Sequence, residues 1–159
     1  RLARLGPNHA PGDTDLAWTR LTHWREQLAA VLDQPPYEPV TAVEVVGSGS
    51  SPSTGLLAAW LRLKLDVQVD WRYATPEEWP HGIQRVRLTR ASGDIVLERS
   101  NDLDATLTQP GQPSHDIVLP RRSLRECLAE ELRRLDPDLL YGRVITTGWE
   151  LLGPAGGTA

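Results

Sequence analysis

The sequence of 159 residues has no methionine, no phenylalanine, one cysteine and one lysine, and no apolar run near the roughly 20 residues that span a bilayer. Each absence excludes something. One cysteine forbids an internal disulfide, and together with four scattered histidines it offers no metal-ligand spacing, so no metal or other cofactor is expected. Without a long apolar run, no membrane partner is expected. The formal charge of −4 argues against a nucleic-acid partner, because general binders carry a basic excess that neutralises phosphates. With these features the chain reads as a cytoplasmic protein. What is abundant is leucine (24), arginine (16) and tryptophan (6), so the core is expected to be built from Leu, Val, Ala and Trp.

The expected organisation is a single domain over 13–150, with 1–12 a connector and 151–159 a glycine-rich tail; both ends suggest a longer polypeptide whose N-terminal half is a partner of this one. Asp13 or Thr14 can cap a helix running to about Asp33, with Ala17, Leu21, Trp24, Leu28 and Val31 or Leu32 as its apolar stripe. Pro35-Pro36 ends it. A β-rich run, 40–46, enters Gly47-Ser48-Gly49-Ser50-Ser51-Pro52, and helical spacing resumes over 53–65 before a short strand at 67–69, the outline of a parallel βαβ unit. After a polar stretch at 72–82, alternation over 83–99 around Ser92-Gly93-Asp94 predicts a hairpin, and two further strands at 105–108 and 116–119 flank Gln109-Pro110-Gly111-Gln112-Pro113. Ser123 and Glu126 form a capping-box pair for a helix with Leu124, Leu128, Leu132 and Leu135 on one face, and a last helix runs from about Asp138 to Trp149. The fold class is therefore mixed α/β: a βαβ unit continued by antiparallel strands in one sheet, flanked by helices, including one near each terminus.

No catalytic constellation emerges from these residues. Gly47-x-Gly49 between strand and helix imitates a dinucleotide fingerprint, but Pro52 stands where the third glycine is needed, and the one lysine, Lys64, lies at the far end of the helix from a phosphate loop. A weaker role survives for Gly47, Ser48, Gly49, Ser51 and Ser53, as an anion cradle at a helix N-terminus, and this defines an alternative function as a sugar-phosphate or nucleotide sensor. Cys127 lies beside the leucine face with no neighbouring histidine; a structural thiol is the main reading and a redox role the minor one. Trp18 and the row Tyr141, Ile145, Trp149, Leu152 suit either a core or an interface. Arg121 and Arg122 oppose the dipole of the helix they precede and suggest a carboxylate, either a partner's or a structural one, though exposed pairs of this kind are common.

Four blocks occur in order: Asp15-Leu16-Ala17-Trp18-Thr19-Arg20-Leu21-Thr22-His23-Trp24-Arg25; Ser51-Pro52-Ser53 with Leu56-Leu57-Ala58-Ala59-Trp60-Leu61; Ala105-Thr106-Leu107-Thr108-Gln109-Pro110-Gly111-Gln112-Pro113; and Leu119-Pro120-Arg121-Arg122-Ser123-Leu124 with the segment from Cys127 to Asp138. Over about 13–149 they closely resemble the C-terminal half of the glucose-6-phosphate dehydrogenase assembly protein OpcA in its actinobacterial form. The resemblance implies a non-enzymatic partner of glucose-6-phosphate dehydrogenase in the oxidative pentose phosphate pathway, acting by binding. It supplies no catalytic residues. The redox control connected with photosynthetic relatives runs through cysteines, and with Cys127 alone an intrachain switch does not carry over. The surface expected to meet the enzyme comprises Trp18, Trp24, Gln109, Pro110, Gly111, Arg121, Arg122 and Trp149.

Overall fold

Alternating apolar and polar residues build the centre of the molecule. In a computed structural model, which describes residues 4–134 and 136–153, six strands form one sheet: β1 (Ala42–Ser48), β2 (Gln68–Ala74), β3 (Ile83–Arg90), β4 (Gly93–Arg99), β5 (Asp104–Thr108) and β6 (His115–Val118), in the order β2-β1-β3-β4-β5-β6. The helices are α1 (Leu16–Thr19), α2 (Thr22–Leu32), α3 (Ser53–Leu65), α4 (Leu124–Arg133), α5 (Leu139–Arg143) and α6 (Trp149–Leu152). β1 and β2 pair in parallel across α3, and every other pairing is antiparallel. This is the expected βαβ unit continued by antiparallel strands.

The period of two along each strand sorts the side chains onto two faces. Val43, Val45, Val86, Leu88, Ile95 and Leu97 are buried in the core with Leu21, Trp24 and Leu28 of the first helical region and Leu56, Leu57 and Leu61 of α3. On the other face Arg85 reaches Glu44 at 3.3 Å and Glu98 at 4.0 Å, and Arg87 reaches Glu44 at 3.7 Å and Asp94 at 3.8 Å, a ladder of alternating charge that suits a half-wet sheet surface. Gly47 ends the core run of β1 for a steric reason: a Cβ there would lie 2.5 Å from Thr54 Oγ1 and 2.8 Å from the Gly82 carbonyl.

The structure departs from the periodicity in three places. The expected helix over 13–33 is two pieces, because Arg122 Nη1 donates to the Thr19 carbonyl at 2.9 Å and Thr22 Oγ1 donates to the same oxygen at 2.8 Å, diverting an acceptor from the helical ladder. Asp15, rather than Asp13 or Thr14, caps α1 by accepting from Ala17 N. β2 runs on to Ala74 because all seven of its residues stay in register with β1, with Val69 and Trp71 turned inward and Asp70 and Arg72 outward. The final helix is interrupted by a π-type turn, Val144–Gly148, where Gly148 packs so closely that a Cβ would sit 2.8 Å from the Ala59 carbonyl. The connector expected at 1–12 includes a short turn, Gly6–Asn8, and the His9 ring meets Tyr141 edge-on at 5.8 Å. Of the expected tail, 154–159 lies outside the described residues.

Candidate functional site

Two surfaces combine side chains in ways the core does not require. The first is α4. Ser123 Oγ accepts from Glu126 N at 3.2 Å while the Glu126 carboxylate accepts from Ser123 N at 2.7 Å, so the capping box closes as the sequence predicts. Four-residue spacing then aligns Leu124, Leu128 and Leu132. This row faces solvent, at 56%, 48% and 73% exposure; Leu135 lies outside the described residues. Covering the row would contribute on the order of 3–5 kcal/mol, at about 1.5–3 kcal/mol for each fully buried leucine.

Polar contacts turn the helix this way. Cys127 is fully buried beneath it. Glu131 accepts from Thr14 Oγ1 and from Thr19 Oγ1, both at 2.5 Å, and Glu130 pairs with Arg122. Just past the helix Arg134 meets Asp138 at 2.6 Å, and Asp138 accepts Trp18 Nε1 at 2.9 Å and caps α5 through Tyr141 N at 2.9 Å. Burial pushes the Asp138 carboxyl up, but the Tyr141 and Trp18 hydrogen bonds and the Arg134 and Arg25 charges outweigh it and hold the pKa below its ordinary 3.8. α4 is therefore anchored by its acidic side and presents its apolar side.

The second surface is a pocket of about 40 Å³ at the C-terminal end of β1, lined by Arg20, Trp24, Ser51, Ser53, His81, Arg99, Arg121 and Arg122 beside the apolar Leu21 and Ile83. Arg99, at the end of β4, is 6% exposed, and its Nη1 donates to the Asp102 carbonyl at 3.3 Å. The same carbonyl accepts from Arg121 N at 2.7 Å, which brings Arg121 beside it. Burial lowers the Arg99 pKa, the opposing charge of Asp102 offsets part of this and neighbouring Arg121 adds to it; the guanidinium remains charged at neutral pH. Ser51 and Ser53 complete the wall, their hydroxyls 2.9 Å apart.

The residues expected from the sequence are thus dispersed. Trp18 and Trp24 are 1% and 3% exposed, Trp18 lying under Arg25 at 3.8 Å and Trp24 forming part of the pocket floor, so neither offers a free face to a partner. Trp149 is half-buried edge-on against Trp71, and Tyr141, Ile145 and Leu152 of its row are buried in the core. Gln109, Pro110 and Gly111 sit at the opposite end of the sheet from the pocket, where Pro110 packs on the β3–β4 turn at Gly93. Arg121 is exposed beside the pocket, and Arg122 has found its carboxylate inside the molecule, in Glu130.

Of the expected anion cradle, Ser51 and Ser53 reach the pocket. Gly47 and Ser48 are buried in structural contacts, Ser48 Oγ donating to the Pro80 carbonyl at 2.9 Å, and Gly49 lies against the Tyr73 ring. Cys127 lacks the access a redox thiol needs: burial pushes its pKa up, against the pull of Arg122 and Arg20, and keeps it protonated. Sequence reasoning missed Arg20, His81 and Arg99, which converge from separate segments and share no local signal, and it found the α4 leucine row without its direction.

No protein of curated function matches this sequence. A family model for the C-terminal domain of a glucose-6-phosphate dehydrogenase subunit matches residues 11–145, which takes in the first helices, the whole sheet, α4 and α5. The chain therefore belongs to the family of C-terminal domains found in OpcA-type subunits of glucose-6-phosphate dehydrogenase.

Proposed function

We propose that this domain is a non-catalytic binding subunit of glucose-6-phosphate dehydrogenase that docks the enzyme through the outward leucine row of α4 and favours its active oligomeric state. The observation that carries this reading is the orientation of α4: three leucines spend their apolar area in water while two glutamates of the same helix hold it to the body. Contiguous exposed apolar surface of this kind marks interaction sites. The family's description, a subunit of glucose-6-phosphate dehydrogenase, supports that enzyme as the partner.

The mechanism needs no chemistry of the domain's own. A protein that binds one state of an enzyme more tightly than another shifts the population by the ratio of the two affinities, and a preference of about a hundredfold, some 2.7 kcal/mol, converts a minor state into the dominant one. The leucine row can supply that difference if the enzyme offers a complementary apolar surface in its active assembly alone. Arg121 at one end of the sheet and Gln109, Pro110 and Gly111 at the other lie apart, so a partner that uses both must span the sheet. A role beside this enzyme puts the protein in the cytoplasm, within the pentose phosphate pathway.

The test is sedimentation and activity of the cognate dehydrogenase with and without this chain. The expected result is a co-sedimenting complex, a shift toward one oligomer and a rise in activity, all lost with Leu128→Asp. Wild-type chain that neither co-sediments nor changes activity removes the function; Leu128→Asp that binds as well as wild type removes α4 from it.

A further inference from the structure

The pocket at the end of β1 holds more positive charge than the protein itself compensates. Among the described residues Arg20, Arg99 and Arg121 form no ion pair, whereas Arg122 beside them is matched by Glu130. Arg20 Nε is buried with no hydrogen-bond partner. Arg99, more than nine-tenths buried, donates to a neutral carbonyl. Bringing a guanidinium out of water costs several kcal/mol unless an opposite charge or full hydrogen bonding offsets it. Here buried Arg99 and half-buried Arg20 meet the exposed Arg121 at one small cavity, and the domain's overall negative charge makes a general basic surface no explanation.

Size and chemistry narrow the occupant. A cavity of about 40 Å³ accepts roughly three water-sized spheres, since one water needs about 10–15 Å³. That is space for one oxyanion group, with any remainder of the ligand directed out past the exposed His81 and Arg121. A carboxylate would balance one guanidinium. A phosphate brings close to two charges and acceptors in a tetrahedral array, which suits donors arriving from several directions. Ser51 Oγ accepts from Ser53 N at 3.3 Å, and the N-terminal turn of the thirteen-residue α3, which begins at Ser53, adds a favourable dipole on the same side.

We propose that this pocket binds the phosphate dianion of a small phosphate compound, held by Arg99, Arg121 and Arg20 against the Ser51 and Ser53 wall. The site is separate from the α4 face and stands or falls without it, because it is tested on the chain alone.

The experiment is a titration followed by NMR and by thermal shift, at constant ionic strength, with inorganic phosphate, glycerol phosphate and acetate. The expected result is saturable binding of phosphate at or below millimolar concentration, with shifts at Ser51, Ser53 and the Trp24 indole, and little response to acetate. Tighter binding of glycerol phosphate than of inorganic phosphate would identify a phosphate monoester as the source, and equal binding would identify inorganic phosphate; both support the site. Exposed Arg121→Gln should retain the fold and weaken binding about tenfold or more, the worth of a charge-assisted hydrogen bond. Arg20→Gln provides a second variant and should weaken binding likewise. Phosphate that fails to saturate, acetate that binds as well as phosphate, or Arg121→Gln and Arg20→Gln that both bind like wild type would each overturn the proposal.

Discussion

α3 and α4 are both leucine-bearing helices, and they solve opposite problems. α3 is apolar nearly all round and crosses between the parallel strands β1 and β2, so from Ser53 to Leu61 every residue is buried. α4 is strongly amphipathic, and by the usual logic its leucine row should face the core. It does not, because the body offers α4 a polar seat: Thr14, Thr19 and Arg122 take Glu131 and Glu130, and Cys127 is the one residue of the helix that is buried. The lesson is that amphipathicity fixes a stripe but not its direction. Which side faces inward depends on what the rest of the chain presents, and where charge-assisted hydrogen bonds win the contest, the apolar stripe becomes a surface.

That contrast can be broken from either side. The largest effect belongs to α3: Leu57→Ala, fully buried, should cost about 2–5 kcal/mol in chemical denaturation, from lost transfer energy and the cavity left behind. Any change in dehydrogenase binding should then follow loss of fold alone. Next comes Asp138, the link between α4, Trp18 and α5. Asp138→Ala removes a helix cap and strands the buried Trp18 N–H, and should cost roughly 2–3 kcal/mol, measured the same way.

The charge of Asp138 gives a third prediction. Its folded pKa is depressed, so its contribution is fully present above the ordinary 3.8 and is lost as pH falls through the lower folded value. Asp138→Asn should therefore flatten the fall in stability below about pH 4 relative to wild type. The smallest stability effect is expected for the leucine row: Leu128→Ser and Leu132→Ser should each change unfolding free energy by about 0.5 kcal/mol or less, while affinity for the dehydrogenase falls at least tenfold by calorimetry. A large destabilisation in these two would show that the row is packed in solution, and the contrast with α3 would fail.

The sequence made the α3 side of this comparison readable. The strand, turn and helix around Gly47 to Leu65, the hairpin at 83–99 and the capping box at Ser123 all depend on signals within a few residues, and each forms where expected. What was not legible depends on distant partners. The break between α1 and α2 follows from Arg122, a hundred residues away, taking the Thr19 carbonyl. The burial of Trp18 follows from Asp138. The guanidinium pocket draws on residues 20, 51, 53, 99 and 121, so Arg121 and Ser53 could each be noticed singly but not as neighbours.

The central claim is that the outward leucines of α4 are the docking face, and cross-saturation NMR on methyl-labelled leucines tests it most directly. With unlabelled dehydrogenase added and irradiated, the strongest saturation is expected at the methyls of Leu124, Leu128 and Leu132, with little at Leu57 and Leu61 of α3. Saturation concentrated on other leucines, with the α4 row unaffected in a saturated complex, would contradict it.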